Sequence, residues 1–278
     1  MRLIKYGHDG KFHFIQNLLG GDIPSYAILS HTWGRDTDEV TYRDLVDETG
    51  KGKAGFWKIS FCAEQARRDG LQYIWVDTCC IDRSNNVELS EEMGSLFHRY
   101  RDASRCYVLL SDVSISGGQK NSGQSEIQWE SDFRAARWFT RGWTLLDLLA
   151  PASVEFFSRE GRRLGDKRSL EPQIHEITGI AIPALRGSPL SQFGVDERFK
   201  WAETRQTTRE EDWVYCLLGI FDVSMPLIYG EGRENAIRRL RREIDGALSH
   251  NSLSRSIVDV EPQNRKSQAE PGVNDKGD

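Results

Sequence analysis

The stretch that decides the fold runs Tyr26-Ala27-Ile28-Leu29-Ser30-His31-Thr32-Trp33-Gly34. Its opening apolar run has no alternation of polar and apolar residues, which suits a strand buried on both faces. Such a strand would deliver Ser30 and His31 to its carboxyl end, where Trp33 and Gly34 begin a loop. The same grammar recurs at residues 73–76, followed by Asp77-Thr78-Cys79-Cys80-Ile81-Asp82, and at residues 106–110, followed by Ser111 and Asp112. A fourth run lies at residues 154–157. Between these runs, Phe56, Ile59, Cys62, Ala63 and Ala66 fall at helical spacing within residues 53–68, with Gly70 as a stop. Met93, Leu96, Phe97 and Tyr100 do the same after an expected N-cap at Ser90. Strands alternating with helices predict an α/β domain with a parallel sheet and right-handed crossovers.

Working outward, residues 4–6 and 11–15 predict a hairpin about Asp9-Gly10. Residues 114–125 are rich in Gly, Ser, Asn and Gln and predict a surface loop. Helices are expected at 131–138 and 143–149, with Pro151 as a stop. The pattern then turns helical at 170–178, 195–204, 210–220 and 231–247. Thr208 and Glu211 have the spacing of a capping box for the third of these. From residue 251 the chain is polar and lacks periodicity, so disorder is expected. The expected division is residues 1–160 as the α/β domain, 161–250 as a helical extension packed on it, and 251–278 as a tail.

Composition narrows the classes of function. The 278 residues carry 37 basic and 42 acidic side chains, a formal net charge of −5, which gives no general attraction to nucleic acid or anionic lipid. No apolar run approaches the length of a membrane span. Residues 1–14 are too polar for a secretory signal, so an intracellular, cytoplasmic protein is expected. Five cysteines without a C-x-x-C pair point to reduced thiols and to no zinc ribbon. No metal site is expected. The run Arg233, Arg238, Arg239, Arg241 and Arg242 reads as a solvated helix face.

Ligand crevices of parallel α/β sheets lie beyond the carboxyl ends of the strands. The residues expected to converge there are Ser30, His31, Trp33, Gly34, Asp77, Cys80 and Asp82, joined by Trp143 and Asp147 from the helix after Arg141-Gly142. A cysteine nucleophile at Cys79 or Cys80, activated by His31, is one chemistry such a set could support. Its rival is that adjacent cysteines are small buried apolar groups. Asp147 could act as a general base or a ribose anchor, or could simply favour its helix N-terminus.

The strings YAILSHTWG from Tyr26, YIWVDTCCID from Tyr73 and RGWTLLDLLAP from Arg141 resemble, in order and spacing, three signature blocks of the fungal heterokaryon incompatibility (HET) domain. TRQTTREEDWVYCLLGIFDVSMPLIYGEG from Thr204 is similar to the helical segment that commonly follows it. The resemblance implies a TIR-like (flavodoxin-like) core and a signalling module of fungal non-self recognition and innate immunity. It also implies programmed cell death triggered through self-association or through other HET or NOD-type signalling proteins. Some TIR domains cleave NAD with a glutamate. Here Asp147 stands where the resembled family usually has Glu, and Leu146 where it usually has Gln. NAD is therefore an open alternative as substrate, with Asp147 as the catalytic carboxylate, and no other cofactor is expected. No attached receptor is expected after the helical segment, so the input is expected from a partner in trans or from a second copy.

Overall fold

The computed structural model describes residues 1–7, 9–16, 18, 20–115 and 124–258. Seven strands form one mixed sheet in the order β2-β1-β4-β3-β5-β6-β7. The strands are β1 (Leu3–Tyr6), β2 (Phe12–Ile15), β3 (Tyr26–His31), β4 (Tyr73–Trp75), β5 (Arg105–Leu109), β6 (Val154–Phe157) and β7 (Arg163–Asp166). The four central strands are parallel, as expected. The hairpin β1–β2 and strand β7 add antiparallel edges, so the sheet as a whole is mixed rather than parallel. Strand β7 escaped the sequence reading because Arg163-Leu164-Gly165-Asp166 has only one large apolar residue to signal it. Every residue of β3 is buried, which accounts for its unbroken apolar run.

Three crossovers connect the parallel strands. The first carries α1 (Tyr42–Val46) and α2 (Phe56–Arg68), the second α3 (Asp77–Cys80) and α4 (Asn86–Arg101), and the third α5 (Gln124–Arg134), a 3-10 turn (Arg137–Thr140) and α6 (Thr144–Leu149). Since β3 sits between β4 and β5, right-handed connections put α2 on one face and α4 and α6 on the other. The contacts agree: α2 lies on β3 and β4, while α4 touches α6. The loop expected at 114–125 falls largely outside the described residues, and its last two residues belong to α5. The helix expected at 131–138 is broken after Arg134 and resumes as the 3-10 turn. An aromatic cluster holds that break in place, with Phe133, Trp138 and Phe139 all packed against Phe156 of β6 at centroid distances of 5.3, 5.8 and 6.2 Å.

Two cap expectations are corrected. Helix α4 starts one turn before Ser90, where the Asn85 carboxamide accepts from the Val87 and Glu88 amides. The capping box lies at Thr41 and Asp44, each side chain taking the other's backbone N–H. Glu211 instead accepts from the Gly230 and Gly232 amides, and Thr208 accepts from the Arg141 guanidinium.

After β7 come α7 (Glu171–Thr178), α8 (Ile182–Leu185), α9 (Val195–Glu203), α10 (Asp212–Tyr215), α11 (Leu218–Phe221) and α12 (Arg233–Val258). The helix expected over 210–220 is thus two short ones. The last helix runs past residue 251, where disorder was expected to begin, and the rest of that expected tail lies outside the described residues. Helices α7, α8 and α11 contact α5, α6 and α4 respectively, so the extension covers the helices on one face of the sheet. Lys167 helps to join them. Its buried ammonium, held down to about 8 by desolvation, donates to the Leu148 and Pro151 carbonyls at the end of α6.

Gly219 permits the α11–α4 contact, because a Cβ built there would overlap the Cβ and Cγ of Phe97. Neither atom sits at the far end of a flexible chain. Gly219→Ala is expected to cost on the order of 1 to 3 kcal/mol through overpacking, despite alanine's better helix propensity. Urea unfolding checks this, and a midpoint equal to the parent's would mean that α11 does not pack on α4.

Candidate ligand crevice at the strand ends

The carboxyl ends of β3 and β5 lie side by side, with Ser30 opposite Val108 and His31 opposite Leu109. Just beyond them the Thr32 and Ser111 hydroxyls approach to 3.4 Å. This is the crevice expected from the strand pattern, but the chain itself fills its floor. The Trp138 indole donates to Ser30 Oγ at 2.8 Å, and the Ser30 hydroxyl donates to Asp147 Oδ2 at 2.5 Å. One hydroxyl, able to accept and donate at once, therefore joins β3 to the 3-10 turn and to α6. Tyr100 of α4 closes the group from the side. Its hydroxyl donates to the Leu29 carbonyl at 3.1 Å and stands beside Asp147.

Asp147 is 6% exposed. Burial disfavours its charged form and the nearby Asp77 charge adds to this. The hydrogen bond from Ser30, the neighbouring Tyr100 hydroxyl and the charge of Arg205 work in the opposite direction. The balance pushes the carboxyl up to about 8. At neutral pH it is a buried carboxylic acid.

A second cluster stands nearer the surface. The Trp33 indole donates to Asp77 Oδ2 at 2.9 Å, and Arg83 lies 4.2 Å over the Trp33 ring and 3.7 Å from the same oxygen. Arg137 clamps the loop from the other side, its guanidinium donating to the Trp33 carbonyl and its amide to Asp112. Sequence reading thus placed Trp33 and Asp77 together with good reason, but not Arg83 or Arg137. Nothing in the spacing of those two arginines separates them from ordinary surface residues.

The remaining expected members go elsewhere. His31 is buried against Glu39, 3.5 Å from its carboxylate. Gly34 donates its amide to Glu39 at 2.7 Å, and Lys58 of α2 reaches the same carboxylate at 2.5 Å. Burial opposes ionisation of Glu39, but His31, the Gly34 amide and Lys58 together hold its carboxyl down to about 2. Glu39 and Lys58 were not anticipated, since an acidic residue in a polar loop and a lysine in a helix are the commonest surface residues. Cys80 is directed to the Val76 amide. Cys79 is wholly buried and its thiol is pushed far up by desolvation, the reverse of what a thiolate nucleophile needs. The adjacent cysteines are packing groups. Asp82 caps a surface turn through Ser84, and Trp143 faces Asp212 of the extension. Neither joins Asp147.

The raised Asp147 carboxyl has a stability consequence. An acid whose folded value lies above its unfolded one stabilises the fold when protonated, and that contribution is lost as pH rises toward the folded value. Between about pH 6 and about pH 8 the loss should approach roughly 2 kcal/mol. Asp147→Asn, which mimics the neutral acid, should flatten that part of the profile. Urea unfolding across this range checks it, and identical slopes for the two proteins would refute a buried neutral carboxyl.

Residues 26–124 match the family described as heterokaryon incompatibility protein (HET). That span includes β3, β4, β5 and the Trp33–Asp77 cluster, but stops short of Asp147. No solved structure matches the chain. The chain spans 18% of the length of the vegetative incompatibility protein HET-E-1 of Podospora anserina, to which it is 54% identical over 252 residues, or 90% of its own length. A shared stretch of that extent takes in both the sheet and the helical segments after it, and residues 26–124 within it carry the match to the heterokaryon incompatibility family.

Proposed function

We propose that this chain is a signalling module of fungal heterokaryon incompatibility that promotes programmed cell death by associating with itself or with related signalling proteins in the cytoplasm. The observation that carries this reading is the 54% identity to HET-E-1 along 90% of the chain, an incompatibility protein by name. The doubly wound arrangement of the parallel strands supports a TIR-like core as part of this reading. The parallel strands run β4-β3-β5-β6, with the first of them inside and the connections passing to both faces. The crevice at their ends is occupied by Trp138, Ser30 and Asp147, which suits a site that specifies structure more than one that turns over substrate. Among the described residues no helix is long and apolar enough to cross a membrane. Inducible expression of the folded protein in a fungal host is expected to arrest growth and kill cells. Normal growth with abundant, soluble, folded protein would overturn the proposal.

One observation favours a second reading, a TIR-like NAD glycohydrolase. Asp147 is a carboxyl strongly perturbed by burial at the ends of parallel strands, and perturbed groups in such places are candidates for acid-base work. In that reading Ser30, Trp33 and Asp77 line the nicotinamide pocket. Incubation with NAD and chromatography for released nicotinamide decides it. Release by the parent and its loss in Asp147→Asn would establish the enzyme, and no release from the parent or from Asp147→Glu would remove it.

A further inference from the structure

The crossover between β5 and β6 closes the strand-end crevice with one of its own side chains, and the extension grips that crossover from the other side. Trp138 is wholly buried, and its indole donates to Ser30 Oγ at 2.8 Å. Ser30 in turn meets Asp147 at 2.5 Å. Just after Trp138 the backbone turns to the extension. The Thr140 carbonyl accepts from the Gln206 amide at 2.6 Å, and the Gly142 amide donates to the Gln206 carbonyl at 2.9 Å. Between them the Arg141 carbonyl accepts from Arg205 Nη1 at 2.8 Å. A further chain of bonds reaches Trp138 itself. Arg205 Nη1 donates to Thr144 Oγ1 at 3.0 Å, and that hydroxyl donates to the Trp138 carbonyl at 2.5 Å. Trp138 is thus fixed to the sheet through its ring and to the extension through its backbone.

This seam is closed at a cost. Arg205 is only 4% exposed, and its partners are the Trp201 and Arg141 carbonyls and the Thr144 hydroxyl, all neutral. Its Nη2 is buried and has no hydrogen-bond partner among the described residues. Beyond Trp138, burial holds the Asp147 carboxyl neutral. Water would relieve both penalties, because a buried cation with an open donor and a desolvated carboxyl are each better solvated outside. Contacts that carry such costs belong to the low-stability end of a structure and open ahead of global unfolding.

Gly142 shows how little room the seam has. A Cβ there would stand 2.5 Å from Thr207 Cγ2 and 3.4 Å from Cys216 Sγ. Its backbone is outside the left-handed region, so an alanine is opposed by the contact and not by φ. Two buried thiols mark the two sides of the closure. Cys216 borders the seam, and Cys106 Sγ lies on the sheet side of α6, 3.9 Å from the Asp147 carbonyl. Cys62, equally buried, belongs to α2 on the opposite face of the sheet.

We propose that the extension is an autoinhibitory clamp, in which residues 205–207 hold Trp138 in the strand-end crevice, and that opening of this seam frees Ser30 and Asp147 together while the sheet stays folded. The proposal deepens the signalling reading by naming the contact that keeps the module closed. It is tested on the purified full chain, so it can fail while the expression assay succeeds. The native protein is labelled with a small thiol reagent and mapped by peptide mass spectrometry, each rate being divided by that of the urea-unfolded chain. In the parent, Cys216 and Cys106 should react at one shared rate, about tenfold or more above that of Cys62. Gly142→Ala should raise the Cys216 and Cys106 rates together by about tenfold or more through overpacking, with Cys62 unchanged. Adding Thr207→Ser removes Cγ2, keeps the hydroxyl that donates to the Arg209 carbonyl, and should return both rates toward the parent's. Reaction of Cys216 without Cys106 would mean that the seam parts without freeing the crevice, and equal rates at all three thiols that only global unfolding opens it. Either result overturns the proposal. So do unmoved rates in a folded Gly142→Ala protein, or rates that Thr207→Ser fails to restore. If Gly142→Ala does not fold, the three rates of the parent decide.

Discussion

The structure depends on the hydroxyl of Ser30. It lies in the central strand, wholly buried, and must find both a donor and an acceptor there, because an unmatched hydroxyl would cost about 1 to 3 kcal/mol. Trp138 supplies the donor and Asp147 the acceptor, and both come from the crossover between β5 and β6. The requirement of one small group thus fixes where that crossover closes over the strand ends. Burial at that closure also sets the state of Asp147, because stripping the carboxyl of water outweighs the Ser30 hydrogen bond that favours its charged form.

From that closure the extension follows. Once the 3-10 turn and α6 are placed, their backbone offers groups that the later chain takes up. Gln206 pairs with Thr140 and Gly142, Arg205 reaches the Arg141 carbonyl and the Thr144 hydroxyl, and Lys167 reaches the Leu148 carbonyl of α6 and the Pro151 carbonyl just beyond it. Gly142 is what allows so close an approach, since a Cβ there would stand 2.5 Å from Thr207 Cγ2. The extension is therefore held to the sheet by polar groups at the seam and by apolar packing behind it, where Trp201, Trp213 and Leu218 are buried.

Much of this was legible from residue patterns. Strands buried on both faces announce themselves as apolar runs, so β3 and β5 could be placed nearly to the residue, and β6 was legible despite Glu155 within it. Strand β7 could not, because an edge strand with a single apolar side chain has no pattern to read. The meeting of Trp33 with Asp77 followed from topology, which sends neighbouring parallel strands to a common end. The fates of His31, Cys80 and Asp82 did not follow. Residues adjacent in sequence at a strand end point to different sides, and which side faces the crevice depends on turns such as α3 that four residues decide. Arg205 and Glu39 were invisible for another reason. A buried ion is distinguished from a surface one by its surroundings, and those come from segments far away in the chain.

The place of Asp147 bears on what a longer acidic side chain would do there. Its Oδ2 meets Ser30 at 2.5 Å beside the Tyr100 hydroxyl, and the residue is almost wholly buried. A glutamate in the same backbone position would have to place an extra methylene in a packed interior, at a cost of about 1 to 3 kcal/mol unless its neighbours moved. Its carboxyl would also be carried past the hydroxyl that holds it. The shorter side chain is the one that lets β3, the 3-10 turn and α6 close on one another. A carboxyl that holds three segments together while protonated cannot, in that conformation, also meet a substrate. Any chemistry at Asp147 would have to begin by separating it from Ser30, which would unpair the central strand's buried hydroxyl as well.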